Sequence, residues 1–284
     1  MPIATVSLPS GETVPALGQG TWKMGEVGRK RADEIRALQA GVDLGMTLID
    51  TAEMYADGGA EEITGEAIRG RRDDVFLVSK VLPSHASHEQ TVRAAERSLK
   101  RLGTDRIDLY LLHWRGGYGL DDTISGFETL QKAGKIRHWG VSNFNVDDMK
   151  ELIDLGGKAV AANQVLYNLT RRGIEYDLLP WQAQRNIPTM AYSPIEQGRL
   201  ANHRELQQVA DRHGKTPAQI ALAWVLAQGP HVIPIPGTKR IRYLDENLAA
   251  ADIRLAADEI AALQAIFRPE AVSGDPYPDM SFMR

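Results

Sequence analysis

Residues 44–55, LGMTLIDTAEMY, decide the fold. The stretch leaves a helix end and passes through a short β-branched and apolar strand, Thr47-Leu48-Ile49. It then meets the acid Asp50 and enters a loop carrying Tyr55. A buried apolar strand that ends in a carboxylate is the pattern of a barrel strand, whose carboxyl end bears the chemistry. Two further strands end in the same way: VFLVSKV delivers Lys80 and IDLYLLHW delivers His113. An acid, a phenol, an ammonium and an imidazole therefore leave three successive strands at one end.

Working outward from this stretch, residues 3–16 read as a hairpin, with IATVSL and TVPAL turned at Pro9-Ser10-Gly11. Preceding the first barrel strand at 17–22, it is expected to cover a barrel end. A helix at 31–45 carries Ile35, Leu38 and Val42 at helical spacing and stops at Gly45. A helix over 60–69 follows the opening strand. The alternation then runs on: strand 75–80 and a helix with Val92, Ala95, Leu99 and Leu102 on one face; strand 107–112 and helix 122–133; strand 136–141 and helix 146–155, started by Asn145 with Asp148 in its first turn. Strand 160–166 leads to a helix at 176–185. Strand 188–192 leads to helices at 203–213 and 217–228, the second opened by the capping box Thr216-Pro217-Ala218-Gln219. Strand 231–235, a helix at 240–249 and an extra helix at 256–267 close the series.

Eight strand–helix units with no Pro/Ser-rich or charged linker between them predict a closed (β/α)8 barrel, a single domain over residues 1–284. A doubly wound open sheet is the competing architecture, but no GxGxxG turn opens a helix after a strand, and Gly18-Gln19-Gly20 lies on a strand. The composition is that of an ordinary globular chain: 43% hydrophobic, 25% charged, formal charge −4, with charges of both signs interspersed. No basic stripe marks nucleic-acid binding. No run approaches the ~20 apolar residues of a membrane helix, and the amino-terminal stretch has no signal-peptide pattern. The absence of cysteine excludes disulfides, thiolate metal sites and thiol catalysis, and suits a reducing compartment. The expectation is a soluble cytoplasmic monomer.

Each of the four strand-end residues alone has an ordinary structural reading, as a turn cap, a packed ring, a surface pair or a core histidine. Together they suit carbonyl reduction. A hydride arriving at a carbonyl carbon builds negative charge on oxygen, and an acid must supply a proton. Tyr55 is the candidate acid. Lys80 would lower its pKa from ~10, Asp50 would hold the ammonium, and His113 would donate a ring N–H to the carbonyl oxygen. Without cysteine or a flavin signature, a nicotinamide cofactor is the economical hydride source. Strand HVIPIPG ends in Pro236-Gly237-Thr238-Lys239-Arg240 and opens a helix, a place for phosphate. Lys239 and Arg240 would favour the 2′-phosphate of NADP over NAD. Other chemistries find less support. His85-Ala-Ser-His88 has metal-like spacing without a third clustered ligand, and no GxSxG elbow supports a hydrolase.

The segments IDTAEMY, VFLVSK, IDLYLLHW, WGVSNF, ANQVLYN, MAYSP and IPIPGTKR…ENL, in this order, resemble the aldo-keto reductases from the hairpin to about residue 248. The resemblance implies NADPH-dependent reduction of aldehydes and ketones on a (β/α)8 barrel, with Asp50, Tyr55, Lys80 and His113 as catalytic tetrad. It implies that Ser142, Asn143 and Gln164 hold the nicotinamide carboxamide and Tyr192 stacks on its ring. Ser193, Gly198 and Leu200 would lie along the pyrophosphate, Thr238, Lys239 and Arg240 on the adenosine phosphate, and Glu246 and Asn247 at the adenine. Three departures concern the substrate pocket: the glycine-rich RGGYGL after Trp114, the compact SPIEQGRL after Tyr192 and the short tail after Phe267. They resemble the bacterial branch that reduces small carbonyls such as methylglyoxal, diketogulonate-type keto sugars and simple aromatic aldehydes. Trp22, Tyr55, Trp114 and Phe144 would line the pocket. A cofactor-binding regulatory subunit on the same fold, and a dehydrogenase working in the oxidative direction, are the competing functions.

Overall fold

The computed structural model describes residues 3–268. An antiparallel hairpin, β1 (Thr5–Ser7) and β2 (Thr13–Pro15), comes first. Eight parallel strands follow: β3 (Gly18–Gly20), β4 (Leu48–Asp50), β5 (Phe76–Val81), β6 (Ile107–Leu112), β7 (Ile136–Ser142), β8 (Asn163–Leu166), β9 (Thr189–Tyr192) and β10 (Val232–Pro234). Each pairs with its neighbour in chain order. A parallel bridge between Gly20 and Gly237 joins the first strand to the segment after the last, closing the ring as expected.

The helices between strands are α1 (Arg31–Asp43), α2 (Gly59–Ala67), α3 (His88–Leu102), α4 (Leu120–Lys132), α5 (Val146–Asp154), α6 (Leu178–Ala183), α7 (Arg204–His213) and α8 (Pro217–Leu226). After β10 come α9 (Ile241–Ala250) and α10 (Ala257–Ile266). Capping boxes at Asn145/Asp148 and Thr216/Gln219 start α5 and α8 where the sequence places them. No helix of the described residues is long and apolar enough to cross a membrane.

The strand period of two sorts side chains between two cores. Ile49, Leu77, Tyr110, Leu112, Val141 and Val165 point outward and pack with the helices. Leu48, Phe76, Val78, Leu109, Leu111, Met190, Ile233 and Ile235 point inward and pack with the hairpin residues Val6, Leu8, Val14 and Ala16. The hairpin therefore plugs the amino-terminal end of the barrel. Glu12 at its turn pins it there, pairing with Arg137 at 2.8 Å and His138 at 2.7 Å near the start of β7.

Some boundaries are shorter than the sequence pattern suggests. The first strand covers 18–20 rather than 17–22, because Met24 N–H donates to Thr21 O and turns the chain. The helix expected at 176–185 begins at Leu178, whose N–H is capped by the Asp177 side chain. The tail after Phe267, expected to shape the pocket, lies from residue 269 onward outside the described residues.

The seam of the ring needs glycine. A Cβ at Gly20 would meet Ile235 O at 2.8 Å, and one at Gly18 would meet Leu48 Cδ2 at 2.6 Å. Gly20→Ala is expected to destabilise the chain by about 1–3 kcal/mol, measured by denaturant unfolding. An unchanged midpoint would contradict a closed seam at this position.

Candidate active site

The same alternation that fills the barrel with apolar side chains places polar ones at its carboxyl-terminal mouth. Asp50, Lys80, His113, Ser142, Gln164 and Tyr192 each follow by two residues an inward or axial position: Leu48, Val78, Leu111, Gly140, Ala162 and Met190. Lys80 has no exposed surface. Its Nζ donates to Asp50 Oδ2 at 2.8 Å, Thr51 O at 2.9 Å and Tyr55 Oη at 3.2 Å. Gln164 Nε2 donates to the other oxygen, Asp50 Oδ1, at 2.7 Å. The His113 ring stands edge-on to Tyr55 with centroids 5.7 Å apart.

A hydrogen-bonded belt continues around the mouth. Ser142 Oγ donates to Gln164 O at 2.8 Å and accepts from Asn143 Nδ2 at 3.1 Å. Asn143 also donates to His113 O, and Tyr192 Oη donates to Asn143 Oδ1 at 2.9 Å. Asn143 adopts a positive φ of 59°, a conformation its short polar side chain tolerates better than most.

Burial sets the electrostatics. It pushes the Tyr55 phenol well above its usual range, and the Asp50 carboxylate pushes the same way. It holds the Lys80 ammonium below its usual range, against the opposing pull of Asp50 and Glu61. It drives His113 well below the usual imidazole range, helped by the Lys80 charge. Lys80 stands where it can favour the Tyr55 phenolate, as expected, while burial and Asp50 work against that charge. The ammonium divides its donors among Asp50, Thr51 O and Tyr55 Oη. At neutral pH the site holds a protonated phenol and a neutral imidazole.

A cleft of about 960 Å³ runs from Asp50, Tyr55 and His113 past Ser142, Asn143, Gln164 and Tyr192 to Thr238, Lys239 and Arg240. Trp22, Ser193, Gly198, Glu246 and Asn247 also line it. Three expected residues stand apart. Phe144 is fully buried in the outer core and Leu200 is 2% exposed there, where it anchors the loop carrying Ser193 and Gly198. Trp114 packs on His113, centroids 4.9 Å apart, and is not among the lining residues. His85 and His88 face different partners, Glu53 Oε1 and Ser125 Oγ.

The structure adds residues that the sequence did not signal. Met54 and Tyr243 line the cleft. Buried Glu61 stands behind the lysine strand, accepting from Ser79 Oγ and Arg101 Nε at 2.6 Å each. Its place on α2, opposite the residue before Lys80, gives no motif to read.

Fold and site together define a parallel-barrel enzyme built for proton transfer at its carboxyl-terminal mouth. The sequence model of the Aldo/keto reductase family matches residues 16–268, and the chain belongs to that family. It is 50% identical over 262 residues to methylglyoxal reductase YeaE of Escherichia coli, covering 90% of this chain and 92% of that one. It is 34% identical over 275 residues to a glyoxal reductase of Bacillus subtilis, covering 96% of each. An aldo/keto reductase from Klebsiella pneumoniae, solved in complex with NADP and acetate, superposes with a TM-score of 0.90 at 49% identity, over 98% of this chain and 97% of that one.

Two outcomes are expected from this geometry. Lys80→Met alone should cost about 3–5 kcal/mol by stranding the Asp50 charge, whereas Asp50→Asn with Lys80→Met should recover most of that loss while remaining inactive. Chemical denaturation of both variants measures this, and equal losses would contradict the buried pair. For His113, the folded pKa lies below the unfolded value of ~6.5. As pH falls below that value, the unfolded chain takes up a proton that the folded site refuses, so stability declines. His113→Gln should show a smaller drop in Tm between about pH 7 and 5, read by thermal scans.

Proposed function

We propose that the chain reduces small aldehydes, ketones or dicarbonyls to alcohols with NADPH, Tyr55 being the general acid. The observation that carries this reading is Tyr55 Oη 3.2 Å from a fully buried lysine, in a cleft that continues to the start of α9. The cleft fits a dinucleotide. One end has amide side chains on Asn143 and Gln164. The other has Thr238, Arg240 and the amino terminus of α9, with no acid in its first turn.

In this reading Ser142, Asn143 and Gln164 hold the carboxamide and Tyr192 lies on the nicotinamide ring. Ser193 and Gly198 follow the pyrophosphate. Thr238, Lys239 and Arg240 take the adenosine phosphate, with Glu246 and Asn247 at the base. The cofactor supplies the hydride. His113, neutral and edge-on to Tyr55, orients the carbonyl oxygen and stabilises its developing charge. Tyr55 keeps its proton until that charge appears, then gives it up. Lys80 stabilises the phenolate as it forms, and Asp50, gripped by Gln164, fixes Lys80. Trp22, which lines the cleft, borders the substrate.

The names of the relatives, a methylglyoxal reductase and a glyoxal reductase, support small dicarbonyls as the substrate class. The Klebsiella structures with NADP and with NADPH support the cofactor. The intact set Asp50, Tyr55, Lys80 and His113 favours an enzyme over a regulatory subunit. The absence of cysteine suits a reducing compartment such as the cytoplasm, and the interspersed charges offer no basic stripe for nucleic acid.

NADPH oxidation with methylglyoxal, followed for wild type and Tyr55→Phe, tests the proposal. The variant is expected to bind NADPH and lose about 10²–10⁴-fold in kcat, the usual contribution of a positioned acid. Because burial holds the phenol protonated, wild-type kcat should stay level from neutral to mildly alkaline pH. Turnover of Tyr55→Phe at the wild-type rate would assign the proton to another group.

A further inference from the structure

Lys239 is already held before any ligand arrives. Its Nζ lies 2.8 Å from Glu34 Oε1 and also donates to the backbone carbonyl of Lys23. Glu34 has no exposed surface, sits in the first turn of α1, and accepts the Gly25 N–H on Oε2 at 2.9 Å. Lys239 and Glu34 both line the same cleft, on neighbouring units of the barrel joined at its seam. Their ion pair joins the β10–α9 loop to the start of α1, and it also holds the 22–25 segment through Lys23 O and Gly25 N–H.

The neighbouring cations are placed differently. Arg240 lies over the Tyr243 ring at 5.8 Å, and Arg242 is largely exposed and pairs with Glu246 at 3.1 Å. Of the three, only Lys239 is neutralised by a carboxylate that water cannot reach. A phosphate that uses Lys239 must draw it away from Glu34, leaving that carboxylate without its cation in a desolvated place, which is costly. The Lys239 side chain keeps 29% of its surface exposed, so a ligand can reach it.

We propose that Glu34 is a specificity-determining residue: it competes with the adenosine phosphate of the cofactor for Lys239, and so weakens the protein's preference for NADPH over NADH. The proposal rests on the dinucleotide reading given above. NADH lacks the extra phosphate and has no claim on Lys239, so Glu34 leaves its binding alone. The competition costs affinity for NADPH and in return keeps the groove wall assembled in the unliganded protein.

Fluorescence titration of the full chain with NADPH and with NADH, without substrate, tests this. Glu34→Gln keeps an acceptor for Gly25 N–H and removes the charge. It should tighten NADPH about tenfold, equivalent to ~1.4 kcal/mol, and leave NADH unchanged. Lys239→Met should weaken NADPH alone, and in that background Glu34→Gln should have no effect. Glu34→Asp shortens the reach to Lys239; it should shift NADPH in the same direction, and serves if the amide variant does not fold. NADPH affinity unchanged or weakened in Glu34→Gln, with wild type binding NADPH normally, overturns the competition alone. A wild-type chain that binds neither nucleotide overturns the dinucleotide reading and the competition with it.

Discussion

A lysine ammonium with no exposed surface lies 2.8 Å from a carboxylate in the mouth of the barrel. Removing both charges from water is expensive, and their attraction repays it only when the remaining polar atoms are also satisfied. Here they are: Thr51 O and Tyr55 Oη take further Lys80 donors, and Gln164 takes the second Asp50 oxygen. These partners come from β4, β5, β8 and the loop after β4, on different sides of the ring. Asp50 and Lys80 sit on neighbouring strands, but Gln164 of β8 reaches Asp50 only because the sheet closes on itself. Glycine at the seam and the hairpin plug below therefore serve the site as much as the fold.

The loop that brings Tyr55 over Lys80 is held by force. Ala56, Asp57 and Gly58 follow with φ of 51°, 51° and 92°, a left-handed run that costs non-glycine residues about 1–2 kcal/mol each. Such strain persists where the surroundings over-determine it. Glu53, two residues before Tyr55, accepts the Leu82 N–H at 2.8 Å and meets His85 at 2.9 Å, which ties the loop to the end of β5. Arg101 packs against Gly58 from behind, in the space a Cβ would need. The phenol is placed by these tethers, half-buried at the cleft with its oxygen on Lys80 Nζ.

Much of this could be read from the chain. Short apolar strands alternating with amphipathic helices give the barrel and its direction, and the last inward residue of a strand is where chemistry must sit. That reasoning reaches Asp50, Lys80 and His113 from strand ends alone, and the phosphate corner from Pro236-Gly237 at a helix start. Gln164 and Tyr192 required the family resemblance, because an amide or a phenol at a strand end carries no chemical signature of its own. The direction of the Tyr55 shift was not legible. It depends on how far Lys80 is committed to Asp50 and on how dry the site is, and both are properties of packing. Leu200 and Phe144 are placed at the cleft by the family resemblance alone. Their side chains turn into the helix–sheet core, and a sequence outside regular strands does not reveal that choice. Glu34 and Glu61 look like solvated helix acids in sequence, yet neither has exposed surface.

The central claim is that Tyr55 keeps its proton at neutral pH beside the buried Asp50–Lys80 pair, poised to give it to the substrate. The most direct measurement is a pH titration of the Tyr55 ring carbon by NMR in the unliganded protein carrying labelled tyrosine, assigned by comparison with Tyr55→Phe. The Tyr55 resonance should stay at its phenol position as pH passes the ordinary tyrosine value of ~10, while exposed tyrosines move. A Tyr55 resonance that reaches the phenolate position at neutral pH would contradict the account.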